Sequence, residues 1–260
     1  MIRTLFIIAG AALVLCLVTV GGAVAIGGHD LQRHGWARTY KDDNADSVRF
    51  ERVKGGGTDD LGPLTTRTIP WTGGESLTVD SSLDVEYVQG DANTVVITGP
   101  KGLTDRVRLV DGRFDLGDGD ERVVFGWDGG EFSARSERDE LKVVVTAPAV
   151  KRFKSNGSGD LNITGYDQPS LAVDIAGSAE VSASGRTDAL DLTIAGSGEA
   201  SLGDLVTRDA RVDISGSGDA RIAPTGDVRV AIAGSGDVAL TTRPANLNST
   251  VSGAGDVYQD

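Results

Sequence analysis

The sequence is poor in the residues that most enzymes use for chemistry. It has two histidines, His29 and His34, and one cysteine, Cys16, all near the amino terminus. Ser-His-Asp and Cys-His catalysis are thereby excluded from the rest of the chain, as are disulfide frameworks and zinc sites built on His or Cys. No lysine follows Lys154, which removes the lysine that a glycine-rich phosphate loop requires. Aromatic residues amount to 5%, and none lies between Tyr166 and Tyr258, so stacking platforms for bases or sugars are missing there. Positive charge is also short. A net charge of −13 argues against nucleic acid and against adsorption to anionic lipid.

One long apolar run is present. From Leu5 to Ile26 the chain reads "LFIIAGAALVLCLVTVGGAVAI", without a single charged residue. The run is long enough for a bilayer span, which needs roughly 20 residues, and exceeds a secretory hydrophobic region. Residues 1–28 are expected to be a transmembrane anchor, with Ala23-Val24-Ala25 offering a signal cleavage site as the alternative. Cys16 reads as a lipid-facing thiol, since Leu15 is too large to precede a lipidated cysteine. Arg3 upstream is balanced by Arg33, Arg38 and Lys41 downstream, so charge does not orient the segment. Residues 29–65, with mixed charge and "GGG" at 55–57, read as a linker.

Beyond the linker the chain is all-β. "SLTVDSSLDVEYV" (76–88), "NTVVITG" (93–99), "RVRLVDGRFDL" (106–116) and "ELKVVVTAP" (140–148) are alternating strands broken by Gly, Asp and Pro. From residue 155 a single word recurs: "IAGSGEA" at Ile194, "ISGSGDA" at Ile214, "IAGSGDV" at Ile232. Aligned on their first glycine, the words start at Gly157, Gly177, Gly196, Gly216, Gly234 and Gly253, a nearly constant beat. Alternating apolar residues precede each of the last five, as in Leu190-x-Leu192-x-Ile194 and Val228-x-Val230-x-Ile232. Strand, glycine corner and second strand in every period of about 19 residues predict a parallel β-solenoid, a β-helix expected to be right-handed. Corners that stack in every coil need backbone angles and space closed to a Cβ, which assigns those six glycines a structural role.

The "VVVTAPAVKRFKSNGSGDL" entry and the [IV]-[AS]-G-[SA]-[GA]-[DE] word on this beat resemble the putative auto-transporter adhesin, head GIN domain family. The resemblance covers roughly 66–260, with the repeats clearest over 155–260. Gly157 belongs to a shortened copy, and Ala179 stands where the third copy has Gly198. The resemblance implies a parallel β-solenoid in the bacterial cell envelope, anchored to the inner membrane with its body in the periplasm or outside, or secreted if the segment is cut. It supplies no catalytic residue.

The remaining chemistry is carboxylate. Asp160, Glu180, Glu199, Asp219, Asp237 and Asp256 occupy the same place in successive words. Stacked carboxylates can bind calcium, although glycine-rich calcium solenoids use a shorter repeat of about nine residues. The preferred reading is that each acid accepts hydrogen bonds from corner amides and keeps the edge soluble, with no cofactor. The irregular segment 117–140 gathers Asp118, Asp120, Glu121, Asp128 and Glu131 with Trp127 and Phe132, and reads as a solvated hairpin with an apolar pin.

Two functions remain open. One is a non-enzymatic scaffold that binds a protein or a cell-surface polymer along a solenoid face. The other is a β-helical enzyme cleaving polysaccharide with paired acids. Such sites sit on long loops, for which so short and even a spacing of the words leaves no room. The last coil adds an expectation of its own. Pro244, Asn246, Asn248 and Ser249 blunt an edge that has only five residues after Gly255 to cover it, so weak self-association through this coil is expected.

Overall fold

Successive side chains of a strand point to opposite faces, so an alternating sequence buries its apolar face only against another layer. The computed structural model describes residues 35–40, 49–53, 63–117, 121–128 and 131–260. Its strands run in chain order as β1 (Gly35–Tyr40), β2 (Arg49–Val53), β3 (Leu64–Pro70), β4 (Ser76–Val79) and β5 (Val85–Gln89). They continue through β6 (Thr94–Pro100), the short helix α1 (Lys101–Thr104), β7 (Val107–Val110) and β8 (Arg113–Leu116). Next come β9 (Glu121–Asp128), β10 (Glu131–Ser136), β11 (Lys142–Ala147) and β12 (Arg152–Ser155). The repeat region holds β13 (Leu161–Gly177), β14 (Glu180–Gly196), β15 (Glu199–Gly216), β16 (Asp219–Pro224), β17 (Asp227–Gly234), β18 (Val238–Leu240), β19 (Asn246–Gly253) and β20 (Val257–Gln259).

The repeat region is a parallel solenoid. β4, β12, the second halves of β13 to β15, β17 and β19 pair in parallel along one face. β5, the first halves of β13 to β15, β16, β18 and β20 pair in parallel along another. In-register pairing sets like over like: Ile175, Ile194, Ile214 and Ile232 form one inward ladder, and all four are buried. Val173, Leu192, Val212 and Val230 form the next. Burying each such side chain contributes about 1.5–3 kcal/mol. The ladders therefore hold the coils together without aromatic bulk.

One coil lies where the repeat did not point. β4 and β5 are a full coil of the same stack, although 76 residues separate Ser82 from Ser158, whose hydroxyls meet at 2.8 Å. Between them the chain makes an excursion. Within it, β11 extends one face by pairing parallel with β5, and β6 follows antiparallel, with β3, from before the coil, antiparallel to β6; β8 and β7 extend the other face beyond β4. Within the solenoid unit every aromatic except Tyr258 lies at this end. Tyr87 and Phe153 pack edge-on with centroids 5.0 Å apart, and Phe153 meets Tyr166 at 6.3 Å. The Tyr87 hydroxyl donates to the Ala147 carbonyl at 2.7 Å and that of Tyr166 to Ser170 at 2.6 Å; burial raises both phenol pKa values above the ordinary range.

Two domain expectations need correction. The segment 29–65, read as a linker, contains β1 and β2 and the start of β3. β1 pairs antiparallel with β2 and with β9, giving a four-stranded sheet in the order β10-β9-β1-β2. Strands of five or six residues carry too little alternation to be read as periodic, and the partner strand β9 is far along the chain. For the same reason the domain 66–260 is not continuous: β9 and β10 belong to this second unit, and the solenoid unit resumes at Glu140. The apolar segment Leu5 to Ile26 lies outside the described residues. Among the described residues no helix is long and apolar enough to cross a membrane.

Ser155 gives a direct test of the ladder principle. It stands in register between Val79 and Ile175, is 1% exposed, and its hydroxyl has no hydrogen-bond partner. An unpaired buried hydroxyl costs about 1–3 kcal/mol. Ser155→Ala is therefore expected to raise the free energy of unfolding by about 1 kcal/mol in urea titration. A lower midpoint for the variant would show that the hydroxyl is satisfied in solution.

Candidate functional site

The six predicted corner glycines do stack, with one departure. Gly177, Gly196, Gly216, Gly234 and Gly253 are register partners in succession and all have φ between 122° and 144°. Gly216 shows why. Its φ is 130°, and a Cβ there would lie 2.2 Å from the carbonyl oxygen of Gly196. Gly157 lacks the positive φ but meets the same limit, since its Cβ would lie 2.6 Å from the Ser81 carbonyl oxygen. The second glycine of each word is as tightly placed: a Cβ on Gly218 would lie 2.5 Å from the Gly198 carbonyl oxygen. The approach is used for bonding, because Ser217 N–H donates to Gly196 at 2.9 Å and Asp219 N–H to Gly198 at 3.2 Å.

The acids of the words line up along this corner, and three carboxylates on it serve backbone amides of the next coil. Asp237 N–H donates to Asp219 Oδ1 and Asp256 N–H to Asp237 Oδ1, each at 2.8 Å. Asp160 N–H donates to Asp84 Oδ1 at 3.0 Å. Asp84, in "SSLD" (81–84), is the member that sequence spacing missed, because its coil carries Ser81 and Leu83 where the later words have glycine. Burial, and then the nearby Asp84 charge, raise the Asp160 carboxyl above its ordinary pKa. Glu180 and Glu199 are register partners but follow another pattern: Glu199 N–H donates to the Ala179 carbonyl. Asp256 accepts from the neighbouring Val257 N–H at 3.0 Å. Among the described residues no group of three or more His, Cys, Asp or Glu side chains is placed to hold a metal ion.

The described 117–140 candidates belong to the four-stranded sheet. Asp118 and Asp120 lie outside the described residues. Glu121, Trp127 and Asp128 are on β9 and Glu131 and Phe132 on β10, with Trp127 opposite Phe132 and Asp128 opposite Glu131 in an antiparallel hairpin.

A feature that sequence spacing did not single out lies on the outer side of the β4–β12–β17 face. A groove of about 660 Å³ crosses the strands there. It follows one register ladder, Ser76, Arg152, Ala172, Asp191, Arg211 and Arg229. Most of its acids are already engaged. Lys151 pairs with Glu75 at 2.6 Å, and Asp209 accepts from Asp227 N–H and from Arg208, which together hold its carboxyl below the usual pKa. The signal for this groove was the outward residue of each coil, immediately before the central apolar residue. It reads only once the coils are set in register.

The family model for the putative auto-transporter adhesin, head GIN domain, matches residues 75–244. No curated protein matches the chain. The fold is similar to the crystal structure of a putative adhesin from Bacteroides fragilis NCTC 9343, with a TM-score of 0.54 and 17% identity over 76% of this chain and 97% of that one. A putative adhesin from Parabacteroides distasonis ATCC 8503 matches with a TM-score of 0.46 and 17% identity, covering 78% of this chain and 98% of its own. A putative lipid binding protein from the same strain matches with a TM-score of 0.42 and 19% identity, covering 76% and 97%.

The corner geometry yields a paired test. Gly216→Val places a Cβ against a carbonyl in a left-handed backbone, whereas Ser217→Ala removes only an exposed hydroxyl. Thermal unfolding is expected to show a loss of at least about 3 kcal/mol for the first and less than about 0.5 kcal/mol for the second. Equal melting temperatures would mean that the corner is not closed to a side chain.

Proposed function

The chain belongs to the putative auto-transporter adhesin, head GIN domain family, and on that premise we propose that it is a non-enzymatic binding scaffold of the bacterial cell envelope. The observation that carries this reading is the uninterrupted groove along the register ladder from Ser76 to Arg229. It is a long, shallow surface of fixed spacing, and its walls hold arginines and single carboxylates instead of a nucleophile beside a base. Such a surface recognises an extended partner by position and charge. The apolar Leu5 to Ile26 segment would hold the scaffold at a membrane, or direct its secretion if cut. The polysaccharide-cleaving alternative would need a general acid and base facing one bond. The ladder acids instead bond to amides, and on this reading calcium has no part in the fold.

Sedimentation with envelope preparations tests the proposal. The full chain is expected to pellet saturably with cell-wall or membrane polymer, to release no new sugar ends, and to keep its melting temperature when calcium is chelated. A chain that stays in the supernatant with every preparation would overturn the scaffold reading. Newly formed sugar ends would transfer the protein to the cleaving class, and a chelator-induced fall in melting temperature reversed by calcium would make the acid ladder a metal site.

A further inference from the structure

The groove has a chemistry more specific than that of a generic surface. Along its ladder Arg152 and Arg229 are exposed, and neither has an ion pair or side-chain hydrogen bond among the described residues. Arg211, between them, is exposed and turned toward Asp213 at 2.7 Å. On the walls Glu75 is held by Lys151, Asp209 by Arg208, and Asp227 by the Asn246 amide at 2.8 Å. Asp191 is the one ladder carboxylate. A chain of net charge −13 thus carries two arginines without ion pairs among the described residues. In the same groove Glu75 and Asp209 are neutralised by cations, while Asp227, beside a neutral amide, and Asp191 keep their charge.

The backbone limits what can lie there. β12, β13, β14, β15 and β17 are each paired on both sides along this face. Their amides and carbonyls are committed, so a peptide could not add as a strand within the groove. Aromatic rings for stacking are also missing from its lining, so a neutral sugar chain would find little to hold it. Side-chain charge at a fixed repeat is what the groove offers. Arg211 and Arg229 are one coil apart, about 4.8 Å, and Arg152 lies three coils from Arg211, about 14 Å.

We propose that the groove binds an extended anionic glycan, a sugar chain bearing carboxylates or phosphates, laid across the coils with its acid groups against Arg152, Arg211 and Arg229. The proposal rests on the scaffold reading and names the partner class for it. Arginine suits the task because its planar fork pairs with two oxygens of a carboxylate or phosphate at once. Ala172 leaves room between the first two cations, and Asp191 sets the boundary against an unbroken run of acid groups. The contact is a surface one, so it weakens as salt screens it.

Titration of the full chain with oligogalacturonate, with a phosphate-bearing mannose oligosaccharide and with a neutral cello-oligosaccharide decides the matter. At low salt at least one of the two anionic oligomers is expected to bind and the neutral one not; comparison of the two tells carboxylate from phosphate recognition. The double variant Arg152→Ala, Arg229→Ala is expected to weaken that binding about tenfold, and Asp191→Asn to strengthen it severalfold. Both changes are exposed, and unchanged melting temperatures would show that the fold is intact. Absence of binding by both anionic oligomers, or binding that the double variant leaves unchanged, would overturn the proposal. If the same double variant still pellets fully with cell envelopes, the groove assignment falls while the scaffold reading stands. If the unaltered chain also fails to pellet, the reading beneath it falls as well.

Discussion

The spacing of about 4.8 Å between stacked strands is the constraint from which the solenoid follows. Every coil must present the same width to its neighbours, so any atom projecting along the stack is intolerable. At the corner the limit is absolute. The Cβ position of Gly234 lies 1.9 Å from the carbonyl oxygen of Gly216, and that of Gly236 lies 2.0 Å from the one below. Inside the coil the same spacing works in favour of stability, since side chains of one kind fill identical space in successive layers. The Ile175–Ile194–Ile214–Ile232 ladder is the clearest case.

The acids follow the same rule of reach. An aspartate has one methylene between backbone and carboxylate, so its oxygen can meet an amide one coil above. Asp219 and Asp237 do this at one corner, and Asp209 does it for Asp227 at 3.0 Å at another. Glu199 and the coil after it use a different arrangement, with the amides of Glu199 and Asp219 bonded to the Ala179 and Gly198 carbonyls. Carboxylates spent on amides of the next coil register that coil. They are structural acceptors.

The repeating half of the solenoid was legible because its signals are local and periodic. Gly196, Gly216 and Gly234 recur on a beat, and the alternation before them names the inward residues. What escaped reading was non-local. The coil of β4 and β5 has Ser81 and Leu83 where later coils have glycines, and the excursion between it and β12 hides the interval. β1 and β2 escape because five or six residues cannot display a period and the strand β9 that pairs with β1 lies beyond β3 to β8 in the chain. The groove escaped for a third reason. Arg152, Asp191, Arg211 and Arg229 share no motif, and they become neighbours only when register converts sequence distance into one coil step.

That conversion also explains how a strongly acidic chain keeps a cationic line. Part of the negative charge is placed at corners, where a carboxylate oxygen has an amide to accept, so Asp219, Asp237 and Asp209 satisfy backbone. The strands beneath the groove have no spare amides, because β12, β13, β14, β15 and β17 are each paired on both sides. Outward positions there carry no structural duty and are free to take any charge the surface requires. Arg152, Arg211 and Arg229 occupy such positions, and the rigid ladders beneath fix their separation. The close stacking that demands glycine at the corner thus also fixes the spacing of the charges along the face.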